Sequence, residues 1–492
     1  MRTLAIVLAG GQGHRFWPKS SQAYPKQFLN LFGDRSLLQA TVGRLGRLLP
    51  VESIYVVTTA DHEHLVRLQA PDIPSRNVLV EPVGRDTAAA IGYACTLLGE
   101  QELDSVALVV PSDHYVADEE AWARTVGDAC AAAADGRTVL VGVPPTRPET
   151  CYGYILLSEE VARPGSASEA TRFYKVARFI EKPSRDLAER LIAGNRCLWN
   201  SGMFIWKVGT FLELIRRYLP ATAAALSEVA GMRRERGAPP EGSPAWRSRV
   251  GALLARLTPV SVDYGVVEKV PDAVVALGSF DWDDVGSWEA LTRLLPGDPK
   301  GNVTLGPALL HETRDCIVDW NGGPAVVVGL DGAVVAGSGD HLLVCARDRL
   351  GQLKAVLAGR EYADTMDLVR RGRRERTPSG AQVVLKPWGR EVWWALTDHY
   401  AAKTLEMSAG HKTSLHVHER KEETLHVLAG QGRLVVGGEV VEARPGTVRT
   451  IPPGTPHRIF AFTELTILEV STPELEDGVR LDDDYGRAQP KE

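Results

Sequence analysis

A glycine-rich segment near the N-terminus has the residue types that bind a polyphosphate. The segment, Leu8–Ser20, follows an apolar stretch, Leu4–Leu8, that is typical of a buried strand. Its three glycines are Gly10, Gly11 and Gly13. Without side chains at these positions, backbone N–H groups in a sharp turn can point at phosphate oxygens, and Arg15 and Lys26 add positive charge nearby. The combination favours a phosphate-binding loop over an ordinary glycine turn.

Two widely known phosphate loops do not match this segment. The Gly-Lys-Ser/Thr ending of the P-loop is absent, and Phe16-Trp17-Pro18 stands where the dinucleotide fingerprint has its third glycine. A dinucleotide-dependent oxidoreductase is therefore the weaker alternative, since it would share only the general fold class.

The composition indicates an ordinary globular chain that is long enough for two or three domains. The chain has 492 residues, 44% of them apolar and 24% charged, and its net charge of −6 argues against nucleic-acid or anionic-membrane partners. The N-terminus lacks the features of a signal peptide, and no apolar stretch reaches the roughly 18 residues of a membrane span. Six scattered cysteines without a Cys-x-x-Cys motif predict buried thiols in a reducing cytoplasm.

The first part of the chain alternates apolar strand segments with helical segments. This alternation predicts an α/β fold with a mostly parallel sheet and helices on both faces. The predicted strands are Leu4–Leu8, Ser53–Val57, Val106–Val110 and Thr138–Val141, and predicted helices include Leu37–Leu48 and Ala88–Leu98. The motifs fall at strand ends, where sheets of this kind bind ligands. Met232–Pro244 is polar and rich in Arg, Pro and Gly, which predicts a surface insertion.

After Pro296 the pattern changes to short apolar runs separated by Gly, Asp and Asn, which predicts a small all-β unit. These runs are Cys316–Val318, Ala325–Val328, Ala333–Val335 and Leu342–Cys345. We therefore expect a first domain at 1–295, a β-rich unit at 296–363, a charged helix and linker at 364–381 and a last domain at 382–488.

The last domain carries histidine and glutamate residues with the spacing of a metal site. The four candidate ligands are His416, His418, Glu423 and His457. His416 and His418 alternate along one expected strand, so both side chains would face the interior of a barrel. Nitrogen and oxygen ligands in this number suit Zn²⁺ or another divalent transition metal. The spacing matches the two cupin motifs, and the alternative is a small barrel whose histidines are merely buried.

The glycine-rich segment resembles the signature of the sugar-nucleotide pyrophosphorylases. Its variant, Arg15–Ser20 with Pro25–Phe28, is similar to that of the mannose-1-phosphate guanylyltransferases. Further motifs of this family occur in the same order, beginning at Glu81, Arg85, Pro111, Tyr152, Phe179, Trp199 and Asp281. The resemblance implies a Rossmann-like nucleotidyltransferase domain at 1–295, followed by a short β-helix-like unit and a C-terminal cupin β-barrel.

The resemblance also implies a reaction and a set of binding residues. The reaction is transfer of GMP from GTP to mannose 1-phosphate, which gives GDP-mannose and pyrophosphate. The implied nucleotide-binding residues are Leu8, Gly10, Gly11, Gly13, Arg15, Lys26, Glu81, Arg85, Asp86, Thr87 and Asp113. The implied sugar-phosphate-binding residues are Gly153, Glu181, Lys182 and Asn200. Base and sugar specificity rest on the resemblance alone, so a pyrophosphorylase for another nucleotide or sugar 1-phosphate is an alternative.

The implied catalytic residues are Arg15, Lys26, Lys182, Asp113 and Asp284. Asp113 and Asp284 resemble the family's pair of Mg²⁺ ligands, and the register of Trp-x-Asp-x-Gly favours Asp284 over its neighbour Asp283. Positioning and positive charge would provide most of the catalysis, without a covalent intermediate. The structural alternatives are a helix N-cap for Asp113, an exposed ion pair for Glu181 and Lys182, and a turn for the Asn200 segment.

The C-terminal domain resembles the cupin of bifunctional proteins that also interconvert mannose 6-phosphate and fructose 6-phosphate by metal-assisted proton transfer. Four residues depart from the family pattern. His416 stands where glutamine is usual, Lys421 where arginine is common, and Thr424-Leu425 replaces His-Trp. The alternatives for this domain are therefore an isomerase and a non-catalytic module that binds a sugar phosphate or regulates the enzyme. A homodimer is left open.

Overall fold

The computed structural model describes residues 1–11, 15–162, 171–320, 324–338, 341–359, 375–376, 382–474 and 477–482. Contacts divide the chain into two compact units, one formed by Met1–Gly13 and Pro25–Leu295 and the other by His14–Tyr24 and Pro296–Glu492. Gly13 and most of the predicted charged helix and linker at 364–381 lie outside the described residues. Within that stretch, Glu375–Arg376 form a short strand, so the prediction of a helix is wrong at these two residues. No described helix is long and apolar enough to cross a membrane.

A nine-stranded sheet forms the centre of the first unit and confirms the predicted α/β class. Its strands are β1 (Thr3–Leu8), β2 (Ile54–Thr59), β3 (Val78–Glu81), β4 (Val106–Pro111), β6 (Val139–Val143), β7 (Gly153–Glu160), β8 (Phe173–Glu181), β9 (Cys197–Lys207) and β10 (Val274–Leu277), in the order β3-β2-β1-β4-β9-β6-β10-β8-β7. Among these described strands, β8 and β9 run against the direction of the others. A separate pair is formed by β5 (Tyr115–Val116) and β11 (Trp282–Asp283).

Helices cover both faces of this sheet. They are α1 (Leu37–Leu45), α2 (Glu63–Gln69), α3 (Asp86–Leu98), α4 (Glu119–Ala134), α5 (Arg185–Ala193), α6 (Val208–Tyr218), α7 (Pro220–Arg234), α8 (Pro244–Leu254), α9 (Val262–Gly265) and α10 (Leu291–Leu294). Side chains of Ser36, Asp118 and Ser184 cap the starts of α1, α4 and α5, as N-cap preferences predict. The predicted insertion Met232–Pro244 consists of the end of α7, a short connection and the start of α8.

The carboxyl ends of the parallel strands bring distant motifs to one edge of the sheet. Leu8, the last residue of β1, pairs with Pro111 at the end of β4, and Ser112 N–H donates to Leu8 O at 3.1 Å. The end of β3 places Glu81 two strands away from Leu8. Because β9 runs in the opposite direction, its first residues, with Asn200, lie at this same edge. The sheet therefore gathers the predicted loop, carboxylates and sugar-site residues where parallel sheets bind ligands.

The cysteines of the chain are free thiols, as predicted. Cys95, Cys197 and Cys316 are buried, and Cys130 and Cys345 are partly buried. Cys151 is exposed, so the prediction of burial is wrong at that position. It lies two residues before β7, in a loop that leaves the thiol in contact with solvent.

After Pro296, the second unit continues with six short, mostly parallel strands, as expected for a β-helix-like unit. We call this group of strands the β-coil. Its strands are β12 (Val303–Leu305), β13 (Ala308–His311), β14 (Ile317–Asp319), β15 (Ala325–Val328), β16 (Ala333–Ser338) and β17 (His341–Ala346), followed by α11 (Leu353–Ala358). β12, β14 and β16 form one parallel sheet and β13 and β15 form another, while β17 returns antiparallel to β16. Alternate residues such as Cys316 and Val318 point into a small apolar core.

A buried ion pair joins this β-coil to the N-terminal segment His14–Tyr24, which belongs to the same unit. Lys19 Nζ lies 2.6 Å from Asp319 Oδ2, and the side chain of Asp319 is fully buried. Burial raises the pKa of Asp319, and the charge of Lys19 opposes this shift. The carboxylate therefore depends on Lys19 to remain charged in an apolar environment.

Replacing Lys19 by methionine should destabilise this unit strongly. Removing one partner of a buried ion pair leaves an uncompensated charge, so Lys19→Met should lower the free energy of unfolding by about 3 kcal/mol. Thermal melting of the full chain measures this loss. The double variant Lys19→Met/Asp319→Leu is the control, and it should recover most of the stability because no charge remains buried. Equal stability of Lys19→Met and the unchanged chain would contradict this interpretation of the pair.

The last part of the second unit is a β-barrel of two sheets, as the cupin motifs predict. Its strands are β18 (Glu375–Arg376), β19 (Gln382–Lys386), β20 (Gly389–Leu396), β21 (Ala401–Met407), β22 (Leu415–His418), β23 (Glu423–Ala429), β24 (Gly432–Val436), β25 (Glu439–Ala443), β26 (Val448–Ile451), β27 (His457–Ala461), β28 (Leu465–Ser471) and β29 (Gly478–Asp482). The sheets have the orders β18-β19-β20-β21-β28-β23-β26 and β25-β24-β27-β22-β29. Alternating apolar residues, among them Val427, Leu434 and Ile459, fill the interior.

Candidate functional site

Lys26 contacts two segments of the first unit that each carry a predicted catalytic carboxylate. The side chain is 10% exposed. Its Nζ lies 2.8 Å from Asp113 Oδ2 and donates to the backbone oxygens of Asp284 at 2.5 Å and Val285 at 3.2 Å. Lys26, Asp113 and Asp284 are far apart in the chain, so their meeting at the sheet edge agrees with one shared site.

The structure separates the roles of the neighbouring residues Asp283 and Asp284. The carboxylate of Asp283 is buried and accepts from Arg147, Arg293 and the N–H of Val285 at 2.8–3.2 Å. Asp284 is partly exposed, and its Oδ1 accepts from the Tyr152 hydroxyl at 2.7 Å. Asp283 is therefore held in the fold, whereas Asp284 can still offer oxygen to a cation.

Backbone strain marks the residue that follows Asp284. Val285 has a φ of 52° and is fully buried. A β-branched residue rarely adopts this left-handed conformation, which costs on the order of 1–3 kcal/mol. Its N–H is held by Asp283 and its carbonyl accepts from Lys26, so the surrounding contacts offset the strain. The conformation thus places the backbone oxygens of Asp284 and Val285 beside Lys26, while the Asp284 side chain is held by Tyr152.

The backbone after β1 is held by side chains from neighbouring segments. Gln27 Nε2 donates to the carbonyls of Ala9 and Gly11 at 3.1 and 3.4 Å, and Thr58 Oγ1 donates to Ala9 at 3.1 Å. These contacts occupy carbonyl oxygens and leave Gly10 and Gly11 exposed. Arg15 is exposed and belongs to the second unit, so its role in the nucleotide site stays a prediction.

The predicted nucleotide-binding residues Glu81, Arg85 and Thr87 have different roles in the fold. Glu81 is buried, and burial raises the pKa of its carboxyl to about 7. The Arg85 guanidinium instead donates to the carbonyls of Leu254 and Ala255 at 3.0 and 2.8 Å, where it closes the end of α8. Thr87 Oγ1 accepts from the N–H of Val262 at 2.8 Å. Nucleotide contacts by the side chains of Arg85 and Thr87 therefore stay predictions.

The start of α3 follows directly from this motif. Asp86 has a φ of 67°, and its Oδ1 accepts from the N–H of Thr87 at 2.7 Å. The Asp86 side chain thus satisfies one of the free N–H groups of the helix start. Its predicted part in nucleotide binding stays a prediction.

The predicted sugar-phosphate residues meet at one end of β7, β8 and β9. Lys182 Nζ donates to Glu181 Oε1 at 2.8 Å, and Asn200 Oδ1 accepts from the N–H of Gly202 at 3.1 Å. A Cβ at Gly153 would lie 2.5 Å from Glu181 Oε2, 2.9 Å from Phe179 Cζ and 3.2 Å from Asn200 Cβ, so a larger residue would displace the Glu181 side chain and press on the Phe179 ring. The Lys182 side chain is 55% exposed, which leaves its charge available to a ligand.

Several site residues were missed by the sequence interpretation. Tyr152 lies within a recognised motif, yet its role as donor to Asp284 depends on the fold. Burial and then the charge of Asp284 raise the pKa of Tyr152, so its hydroxyl keeps its proton. Arg147 contacts both Tyr152 and Asp283, but a single arginine in a Pro- and Thr-rich loop gives no signal in the sequence.

His114 was also missed, although it lies in the Pro-Ser-Asp-His motif. Trp282 Nε1–H donates to its Nδ1 at 3.1 Å, which assigns the ring proton to Nε2. Its Nε2 lies 3.8 Å from Asp113 Oδ1. Burial lowers the pKa of His114, so the neutral ring supports the Asp113 carboxylate without adding a charge. This pairing of Trp282 with His114 also gives a structural role to the tryptophan.

The four predicted cupin ligands meet inside the barrel of the second unit. Ligand atoms of His416, His418, Glu423 and His457 all lie within 4.8 Å of one another. The two histidines of β22 come from alternate positions, Glu423 begins β23 and His457 begins β27. The geometry agrees with the predicted metal centre.

Outer contacts orient each histidine for metal binding. The Nδ1 atoms of His416 and His457 lie 2.9 and 3.0 Å from the carbonyls of Ser414 and Thr455, and His418 Nδ1 lies 2.8 Å from Asp477 Oδ1. A carbonyl can only accept, so the proton sits on Nδ1 and the Nε2 lone pair faces inward. His457 Nε2 is buried without a partner of hydrogen-bond geometry, although Glu423 Oε1 lies 2.6 Å away. A divalent cation fits this donor set.

Protonation in the barrel agrees with metal-ligand chemistry. Burial, and then the charge of His457, lower the pKa of His416 to about 3, so its ring is neutral. Burial favours the neutral form of Glu423, but the close contact with His457 and the charge of Lys421 hold the pKa of this carboxyl well below its usual range. The same contact with Glu423 raises the pKa of His457 although burial opposes this shift. The site therefore presents a neutral His416 ring and an ionised carboxylate, the forms that bind metals.

A cavity of about 390 Å³ opens beside the four ligands. Lys421 Nζ lies 2.5 Å from Glu423 Oε2 and 2.7 Å from Glu469 Oε1. Lys403 continues this chain of charges to Glu391, at 3.3 Å. Further lining residues include Trp388, Trp393 and Arg480. A cavity with lysine and arginine side chains next to a metal site suits an anionic, hydroxyl-rich ligand.

The fold and the two sites define a nucleotidyltransferase joined to a cupin. The Nucleotidyl transferase family matches residues 4–300, and the Cupin domain family matches residues 403–470. The chain is similar over nearly its whole length to proteins named mannose-1-phosphate guanylyltransferase, and it belongs to this family.

Two curated relatives illustrate the full-length similarity. The mannose-1-phosphate guanylyltransferase of Klebsiella pneumoniae is 32% identical over 98% of this chain and 99% of its own. The mannose-1-phosphate guanylyltransferase ManC of Salmonella typhimurium is 34% identical over 98% of each chain. A crystal structure from Thermus thermophilus, described as a mannose-1-phosphate geranyltransferase, is 37% identical and has a TM-score of 0.61. It covers 73% of this chain and 99% of its own chain.

Proposed function

We propose that the protein transfers GMP from GTP to mannose 1-phosphate and releases pyrophosphate. The observation that carries this proposal is the junction of Lys26, Asp113 and Asp284 at the sheet edge that also bears Glu181, Lys182 and Asn200. The named relatives support the choice of guanine and mannose. Asp113 and Asp284 would hold Mg²⁺, which supplies positive charge to the phosphates.

The reaction requires an anionic phosphate to attack another phosphate. An oxygen of mannose 1-phosphate forms a bond to the α-phosphorus of GTP, and the bond from that phosphorus to the pyrophosphate oxygen breaks. Lys182 orients the attacking phosphate, while Lys26 and the amides at Gly10 and Gly11 offset charge on the triphosphate. No side chain forms a covalent bond in this in-line displacement.

The decisive test is a panel of nucleoside triphosphates with sugar 1-phosphates, with pyrophosphate release as the readout. GTP with mannose 1-phosphate should give the highest kcat/KM. Faster turnover of another base or sugar would instead support a related pyrophosphorylase. Absence of pyrophosphate release with every pair would refute the transferase proposal.

Lys182→Ala should lose most turnover and raise the KM for mannose 1-phosphate. A charge-assisted contact to phosphate contributes on the order of 1.5–3 kcal/mol, which corresponds to a loss of roughly tenfold or more in kcat/KM. The melting temperature should hardly change because the side chain is exposed. Lys175→Ala is a matched control, since Lys175 is a half-exposed lysine on β8, the strand that Lys182 directly follows. Normal sugar kinetics in Lys182→Ala would remove Lys182 from the site.

For the cupin we propose a metal-dependent isomerase of mannose 6-phosphate and fructose 6-phosphate. The four converging ligands and the cavity lined by lysine and glutamate support this second activity. Zn²⁺ or another divalent transition metal would polarise the sugar carbonyl, and a glutamate or lysine of the cavity would move the proton between the two carbons. The competing proposal is a non-catalytic module that binds a sugar phosphate. A cytoplasmic location and a homodimer stay predictions.

A further inference from the structure

A pair of very short strands holds together the two chain segments that carry the proposed Mg²⁺ ligands. Asp113 lies two residues before β5, and Asp284 directly follows β11. The two strands pair antiparallel, with Tyr115 opposite Asp283. Because each strand has only two residues, the pair contains few backbone hydrogen bonds. Side-chain contacts between the two segments therefore help to determine where the carboxylates lie.

The indole of Trp282 and the imidazole of His114 form such a side-chain contact. Trp282 is buried, and its Nε1 donates to His114 Nδ1 at 3.1 Å. The two rings meet edge to face, with their centroids 5.2 Å apart. The His114 ring also lies close to the backbone of β9, since a Cβ at Gly202 would be 3.4 Å from His114 Cε1. These contacts hold the imidazole in one orientation.

The hydrogen bond from Trp282 determines which nitrogen of His114 carries the proton. An indole N–H can only donate, so Nδ1 is the unprotonated nitrogen and the proton lies on Nε2. His114 Nε2 lies 3.8 Å from Asp113 Oδ1, which is too long for a hydrogen bond but close enough for the N–H dipole to attract the carboxylate. The other tautomer would turn a nitrogen lone pair towards Asp113 and repel it.

We propose that Trp282 is a positioning residue of the transferase, which acts through His114 on the carboxylate of Asp113. This inference rests on the proposed transferase function. The N–H of His114 faces Oδ1 of Asp113, and Lys26 Nζ lies 2.8 Å from Oδ2, so the carboxylate is oriented from both sides before a cation binds. Groups that orient a metal ligand in this way typically contribute about ten- to hundredfold to metal affinity or activity.

Trp282→Phe tests this role because it keeps an aromatic ring and removes the N–H. Pyrophosphate release from GTP and mannose 1-phosphate is measured over a range of Mg²⁺ concentrations. The Mg²⁺ concentration at half-maximal rate should rise by about tenfold, while the KM for mannose 1-phosphate should stay within about twofold. Trp122→Phe is the matched control, since Trp122 is also buried and its Nε1 donates to Met203 Sδ at 3.2 Å. It should keep the normal Mg²⁺ requirement, and melting curves show whether both variants fold.

NMR spectra of the chain without added metal give a second readout that does not depend on activity. Long-range proton–nitrogen spectra distinguish the protonated from the unprotonated nitrogen of a histidine ring. The signals that disappear in His114→Leu identify His114. Without other substitutions, the proton should lie on Nε2, whereas Trp282→Phe should give a mixture of both tautomers because the ring has lost the donor to Nδ1.

His114→Leu also shows whether Trp282 acts through His114. In this background Trp282→Phe should cause no further rise in the Mg²⁺ requirement, because the residue that transmits the effect is absent. A further tenfold rise would overturn the inference. A normal Mg²⁺ requirement or an unaltered His114 tautomer in folded Trp282→Phe would overturn it as well. If the chain without substitutions releases no pyrophosphate with any pair, the proposed function itself fails, which is a different result from an active chain insensitive to Trp282.

Discussion

Asp284→Asn is expected to reduce pyrophosphate release by about 10²-fold or more while leaving the melting temperature unchanged. The substitution keeps the shape of the side chain and removes the charge that would hold a hard cation. Asp284 is partly exposed, and its Oδ1 accepts from Tyr152, which an asparagine oxygen can still do. Asp113→Asn should have a similar effect on turnover, since its carboxylate faces Lys26 at the same edge.

Asp283→Asn provides the contrast, because the neighbouring carboxylate is part of the fold. It neutralises two arginines and accepts from the N–H of Val285, the strained residue. Loss of its charge leaves Arg293 without this carboxylate and leaves Arg147 with Glu149, so Asp283→Asn should lower the free energy of unfolding by on the order of 1.5–3 kcal/mol. Melting curves and saturating kinetics measured on both variants separate the two roles.

The opposite result would assign the metal ligand to Asp283 instead of Asp284. If Asp283→Asn abolished turnover at an unchanged melting temperature and Asp284→Asn stayed active, the assignment of Asp284 would be wrong. Titration of Mg²⁺ adds a second readout, because only loss of a ligand should raise the Mg²⁺ concentration needed for half-maximal rate.

The sequence predicted the general architecture well because its patterns are local. Apolar runs bounded by turn residues predicted β1, β4 and the strands β14 to β17 of the β-coil to within a few residues, whereas β12 and β13 were missed. Burial on both faces of the large sheet needs continuous apolar segments, which makes β1 and β4 easy to recognise. The short strand Val78–Glu81 was missed, since four residues carry little periodic signal. The cupin ligands were predicted by spacing, because a strand places alternate residues on one side.

Long-range pairings could not be predicted in this way. The partners of Asp283 are separated from it by loops of different length, and no local pattern records that Arg147 and Arg293 meet there. For Arg85 the error is the opposite one. Its place in a motif suggested a contact with a ligand, but in the structure its guanidinium donates hydrogen bonds to carbonyls at the end of α8. Charged residues in loops can serve either purpose, so only the tertiary contacts decide between them.

The sequence also could not predict which of the two units contains the middle of the signature segment. Residues His14–Tyr24 lie in the middle of the signature but group with the C-terminal unit. Lys19 pairs there with Asp319, and a Cβ at Gly410 of the barrel would lie 2.9 Å from Tyr24. Gly410 has a φ of 79°, so glycine is required both by its backbone and by this close approach. Removal of the barrel would therefore disturb part of the signature.

This contact determines how the cupin should be tested. Truncation would mix loss of the metal with loss of the packing around Tyr24, so point variants in the full chain are preferable. His416→Ala/His418→Ala removes two of the four ligands and leaves Gly410 in place. Bound metal measured by elemental analysis should fall to background, because two ligands alone do not retain a transition metal against dialysis. His399→Ala, at an exposed histidine of the same barrel, should keep its metal.

Isomerase activity should disappear in the double variant, whereas GMP transfer should be retained. The transferase residues Lys26, Asp113 and Asp284 lie in the other unit and share no ligand with the barrel site. Both activities and the metal content must be measured on the same preparations. A parallel loss of transferase activity would show that the metal site supports the signature segment, and the two-module interpretation would be wrong.

Metal content and isomerase activity of the chain without substitutions decide between the two proposals for the cupin. Bound metal together with interconversion of mannose 6-phosphate and fructose 6-phosphate would support the isomerase. Loss of the metal and of the interconversion in His416→Ala/His418→Ala would assign this activity to the barrel site. Metal without interconversion would favour the binding module. In that case Lys421 is the position to examine, because its ammonium group is already bound by Glu423 and Glu469. Lys421→Arg restores the more common family residue, and a gain of isomerase activity would attribute the missing reaction to this position.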